Sequence, residues 1–169
     1  MKQTDNKIKW CLKKAKKELA QSRKHRGLIK IEPDIEEAKK HIIKAEHNAL
    51  AIITAEKARL TDWSVNAAFY TIYHCFLAII TKFGYESRNQ ECTIALIKKL
   101  KEENKIKLDK DIITAFEPEE HETSQESNII QMRENFQYGT ETSIEDQKLK
   151  TLKELCRRTI EQTKREVYR

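Results

Sequence analysis

The sequence predicts an all-α protein, and three observations carry that expectation. Only three glycines and two prolines punctuate the 169 residues. Those breakers fall between stretches whose apolar side chains recur every three or four positions, the spacing of one helix face. No stretch shows the two-residue alternation of a half-buried strand. Six helical segments in one bundle are expected, forming a single domain over residues 1–169 that is long enough to bury a core.

Each segment has its own warrant. The first is expected from about Asp5 to Lys24, with Ile8, Cys11, Leu12, Ala15 and Leu19 along one face and Lys13, Lys14, Lys16 and Lys17 largely off it. In the following "HRGLIKIEPD", Gly27 suits a helix exit and Pro33 a new entry. Asp34 is an N-cap candidate for the second helix, whose first turn holds Glu36 and Glu37. Its Ile35, Ala38, Ile42, Ala45, Ala49 and Ile52 form a packing seam. The third is expected to start at an Asp62 cap and stop at Gly84, and the fourth to run from Asn89 to Glu103. The fifth starts after Leu108, is interrupted by the acidic, polar segment 117–128 around Pro118, and resumes through Ile129, Ile130, Met132 and Phe136 to Gly139. The sixth opens at Thr142 or Ser143 and carries Leu149, Leu152, Leu155, Cys156, Ile160 and Val167.

Charge is distributed unevenly. Residues 1–30 hold eleven basic and two acidic side chains, a net of +9, whereas the remainder holds 22 and 25, a net of −3. Lys13, Lys14, Lys16, Lys17, Arg23, Lys24 and Arg26 are therefore candidates for contacting nucleic-acid phosphates, with Trp10 as a stacking surface. A solvated face whose lysine stems cover apolar surface is the alternative. Four cysteines occur without CxxC or other metal-ligand spacing, and Cys11, Cys75 and Cys156 are expected as buried free thiols. With no signal peptide legible in the Lys-rich start, that reading predicts a reducing cytoplasm. Trp63 to Thr81 lacks formal charge and is long enough to span a bilayer, yet its amide and imidazole groups are costly in hydrocarbon. A core helix without membrane contact is expected instead.

Within "NAAFYTIYHCFLAII", Asn66, Tyr70, Tyr73 and His74 form one polar stripe at helical spacing on an otherwise apolar helix. Buried, these groups need hydrogen-bond partners. They form either an internal network that Arg133 joins, or a seam or cleft holding a base on Tyr70 or Tyr73 and a phosphate on Arg133. Tyr70, His74 and Arg133 are expected to meet in one cluster. His41 and His47 share no close face, and His121 lies in the Glu-rich "EEHETSQE" without metal-ligand spacing. The sequence shows no Gly-rich phosphate loop, nucleophile elbow or recognisable carboxylate pair, so neither cofactor nor metal is expected.

The segment "DWSVNAAFYTIYHCFLAIITKFGYES" resembles the signature helix of HEPN domains: paired small residues Ala67 and Ala68, an aromatic pair Phe69 and Tyr70, then Tyr73 and His74, and a closing Gly84. "IKWCLKKAKK", "ECTIALIKKL" and "MRENFQYG" resemble an archaeal branch of that family in the same order. The resemblance implies an up-and-down bundle of five to six helices, a homodimer, and partnership with a small nucleotidyltransferase, often as a toxin–antitoxin pair. Many family members are metal-independent ribonucleases whose site is an Arg followed about four to six residues later by a His. No Arg here is followed by a His at that separation: near Arg133, Phe136 stands where a His would complete a His-x-Tyr ending at Tyr138, and near Arg88, Gln90 stands where relatives often carry a His. Neither side chain carries a proton at neutral pH. The expectation is a non-catalytic or weakly catalytic protein that binds RNA or a nucleotide. One alternative is a divergent ribonuclease in which Arg133 stabilises phosphate charge, Tyr138 orients it and His74 moves the proton; another is a dimeric scaffold without ligand.

Overall fold

The computed structural model describes residues 2–117 and 128–169. His121 and nearly all of the 117–128 interruption lie outside the described residues. Among the described residues the helices are α1 (Lys2–Ala20), α2 (Ile35–Lys57), α3 (Thr61–Lys82), α4 (Gln90–Glu102), α5 (Lys110–Thr114), α6 (Ile129–Tyr138) and α7 (Asp146–Val167). The all-α bundle is therefore as expected, with the fifth predicted segment present as two helices.

The expected absence of strands is corrected. Leu28–Lys30 (β1) and Tyr85–Ser87 (β2) form a small antiparallel ribbon, with Leu28 opposite Ser87 and Lys30 opposite Tyr85. Three residues per strand are too few to display an alternation, so the signal was never in the pattern. Gly27 also has a different role from the helix exit expected of it. It sits where α1 passes, and a Cβ there would stand 2.4 Å from the Cys11 carbonyl oxygen. Gly84 does end α3, at φ +81, the left-handed region that glycine enters freely.

Capping explains the other boundaries. Asp34 accepts from the Glu37 N–H at 2.8 Å and Asn89 from the Cys92 N–H at 3.0 Å, each satisfying an orphan donor. Asp62 is not the cap of α3. The helix starts one residue earlier, and the Thr61 hydroxyl accepts from the Ile144 N–H at 3.0 Å instead. That bond ties the approach to α7 onto the start of α3. The last helix starts after Glu145, later than the Thr142 or Ser143 expected.

α3 is the central element, packed by α2, α4, α6 and α7. Phe76, Ile72, Ile79 and Ile80 are fully buried and meet Phe116, Leu96 and Ile97 from its neighbours. Burying one such side chain contributes about 1.5–3 kcal/mol. Two-thirds of the most apolar stretch of α3 is inside the bundle, as a core helix requires. On the other flank, α1 lies against α4, and Cys11 and Cys92 are joined there as a disulfide with Cα atoms 5.9 Å apart. Cys11 is thus not the free thiol expected. Cys75 and Cys156 are free and buried, and burial pushes the Cys75 thiol up to about 12.

Candidate functional site

The polar stripe of α3 is not one network. Its members turn to different neighbours, because α3 is covered on one side by α6 and α4 and on another by α2. Tyr73 faces α4, where its hydroxyl lies 3.4 Å from the Thr93 hydroxyl, and burial raises its pKa. The Thr93 hydroxyl in turn donates to Ser87 Oγ at 2.8 Å. Tyr70 is 45% exposed, so its ring is open to solvent. Asn66 is half-buried.

Arg133 arrives from α6, a helix capped by Asn128, whose side chain accepts from the Ile130 and Gln131 N–H groups. Its guanidinium carbon lies 4.1 Å from the centre of the Phe69 ring, a cation–π contact. Phe69 is held rigidly, stacked on Tyr73 and Phe116 and meeting the edge of Tyr70 with centroids 5.1 Å apart. Arg133 Nε is buried without a hydrogen-bond partner, and no described carboxylate forms an ion pair with the guanidinium. An unmade bond at a buried charged donor costs about 1–3 kcal/mol or more. The group is positioned on an aromatic platform, and its Nε has no partner among the described residues. Sequence reasoning named Arg133 and Tyr70 but missed the platform, since Phe69 was read only as half of an aromatic pair with Tyr70.

His74 belongs to a second half-site. Its Nδ1 lies 3.0 Å from Nδ1 of His41 on α2, with ring centroids 5.3 Å apart. Burial first, then His41 and Lys44, lower the His74 pKa to about 4, and burial lowers His41. Both imidazoles are neutral at pH 7. The expected single cluster of Tyr70, His74 and Arg133 is corrected accordingly: Arg133 and Tyr70 share Phe69, whereas His74 is engaged by His41. Tyr138, at the end of α6, is 79% exposed and touches none of them by hydrogen bond among the described residues. The sequence dismissed His41, yet a signal existed. α2 and α3 are joined through a tight turn at 58–60, and His41 precedes it about as far as His74 follows it.

The basic segment is partly spoken for. Lys13, Lys16, Lys17, Arg23 and Lys24 project into solvent. The exposed Trp10 ring is flanked by Lys7 Nζ at 4.7 Å and Lys14 Nζ at 5.0 Å, so its faces are occupied. Arg26 pairs with Glu18 at 3.5 Å. A pair with only its histidine buried escaped the sequence altogether: His25 Nε2 lies 2.8 Å from Glu86 Oε1 across the ribbon, and that bond holds the Glu86 carboxyl below its usual range. Nothing in the sequence signalled it, because the two residues meet only through the β1–β2 pairing.

No family model matches the chain, and no curated protein matches it significantly. The class of protein is set by geometry: an all-α bundle presenting an arginine that has no ion-pair partner among the described residues, on an aromatic shelf beside a solvent-open tyrosine. Such a shelf can bind an anion and stack a planar group.

Proposed function

We propose that this chain is a HEPN-type protein, non-catalytic or weakly catalytic, that holds RNA or a nucleotide and pairs, as a homodimer, with a small nucleotidyltransferase in a toxin–antitoxin-like module. The observation carrying the binding reading is Arg133: a guanidinium stacked on Phe69, with no ion-pair partner among the described residues, is suited to a phosphate oxygen. Tyr70 is within reach of the same platform and offers a ring to a base. The exposed cations of α1 supply a second, diffuse attraction for a polyanion. The family reading and the partner rest on the sequence resemblance, with which the all-α bundle agrees.

Cytoplasmic residence is part of the proposal. The Cys11–Cys92 bond removes the free-thiol argument for a reducing compartment, so this part of the proposal rests on the sequence resemblance alone.

Binding of a fluorescent single-stranded RNA, measured by anisotropy while salt is raised, tests the reading. Wild type binds at low salt with an affinity that falls steeply, and Arg133→Ala weakens it about tenfold, the value of one charge-assisted contact. Absence of binding even at low salt removes the RNA reading. Co-expression with the product of a neighbouring nucleotidyltransferase gene, followed by co-purification, tests the partner.

A further inference from the structure

We propose that His41 and His74 form a two-histidine seat for a divalent transition-metal ion of the zinc or copper class, a site independent of the Arg133 shelf. The two Nδ1 atoms converge at 3.0 Å. Two imidazole nitrogens bound to one ion at about 2.0–2.1 Å stand about 2.8–3.0 Å apart at a right angle and about 3.3–3.4 Å apart at a tetrahedral angle. The ring centroids stand 5.3 Å apart, so the two Nδ1 atoms point at each other along a hydrogen bond, and each ring swings by about 40° before both lone pairs converge on one ion. The rings come from α2 and α3, the pair of helices in most extensive contact, so the donors are held on rigid elements.

Without metal, one Nδ1–H donates to the lone pair of the other ring. On binding, that proton relocates to Nε2 through solvent, both Nδ1 lone pairs face the ion, and no net proton is released. The neutral state that ligation needs is already present, since burial keeps both rings unprotonated at pH 7. Each ring is only half-buried, which leaves an entry path. Glu37, one turn before His41, favours a cation there, and Lys44 opposes it. No group of three or more His, Cys, Asp or Glu side chains forms a site among the described residues. The remaining coordination positions therefore fall to water or an anionic ligand, and the ion is exchangeable rather than structural.

Tag-free protein titrated with Zn²⁺ and, separately, Cu²⁺ tests the proposal. One ion per chain is expected, a higher Tm with Zn²⁺, and a Cu²⁺ electron paramagnetic resonance spectrum with two nitrogen donors. His41→Gln and His74→Gln each lower affinity at least tenfold, whereas His47→Gln leaves it unchanged. Wild-type affinity in both the His41 and His74 variants overturns the site. If the variants do not fold, side-chain ¹⁵N resonances of the wild type decide: Zn²⁺ shifts Nδ1 of His41 and His74 selectively, and unshifted resonances overturn the proposal.

Discussion

His74 shows how one side chain can be read correctly as special and wrongly as to why. The sequence placed it on a polar stripe of an apolar helix, and such a residue invites a proton-transfer role. Its partner is another imidazole 3.0 Å away, and its pKa is lowered to about 4. The folded state therefore resists protonation that the unfolded chain accepts near the ordinary value of 6.5. Below that value the unfolded state binds more protons, so this contribution to stability is full above pH 6.5 and is lost as pH falls towards 4. Urea unfolding at stepped pH measures it. His74→Gln is expected to flatten the stability loss between pH 6.5 and 4, and an unchanged slope contradicts the assignment. Arg133 was more legible, because a lone arginine on a short helix rich in apolar positions stands out. What the sequence could not show was that Phe69, on another helix, offers it a face.

At the scale of elements, helix positions were legible and several helix ends were not. Periodicity located the seam of α2 and the caps Asp34 and Asn89 fixed two starts. Helix ends are usually read from glycine, and this chain ends three helices with other residues in the left-handed conformation: Ser22, Arg59 and Asn104. Each is followed by a backbone N–H bonding five residues back, Arg23 to Glu18, Leu60 to Ala55 and Lys105 to Leu100. The expected extension of the first helix to Lys24 failed for this reason. Left-handed φ costs an L-residue about 1–2 kcal/mol. Arg59→Gly should therefore match or exceed wild-type stability, by up to about 1 kcal/mol, while Arg59→Val loses about 1 kcal/mol or more. Thermal unfolding checks both, and a strongly destabilised Arg59→Gly would mean the turn depends on the arginine side chain. The ribbon was illegible for a different reason. Its order comes from Gly84 and Gly27 carbonyls accepting from Ile31 and Arg88 N–H groups, contacts between segments far apart in sequence.

For the whole molecule, the bundle followed from scarce breakers and apolar seams, whereas its cross-link did not. Four cysteines occur without paired spacing, and Cys11 read as a free thiol because only the packing of α1 on α4 brings it to Cys92. The bond closes a loop with a sequence separation of 81, which in the chain-entropy view is worth about 4–5 kcal/mol. Wild type under strong reductant, or Cys11→Ser with Cys92→Ser, should lose about 2–5 kcal/mol in urea unfolding; equal stability with and without reductant contradicts a formed disulfide. The bond also pins the basic α1 to the body that carries the Arg133 shelf, so both cationic surfaces move as one. The account depends most on that shelf receiving a phosphate-bearing ligand. Isotope-labelled protein titrated with a short single-stranded RNA, and with AMP, locates the contact by nuclear magnetic resonance. The account predicts shifts at Arg133 Nε and at the Tyr70 and Phe69 rings, saturating with ligand and absent in Arg133→Ala. Shifts confined to the lysines of α1, or none at all, would contradict it.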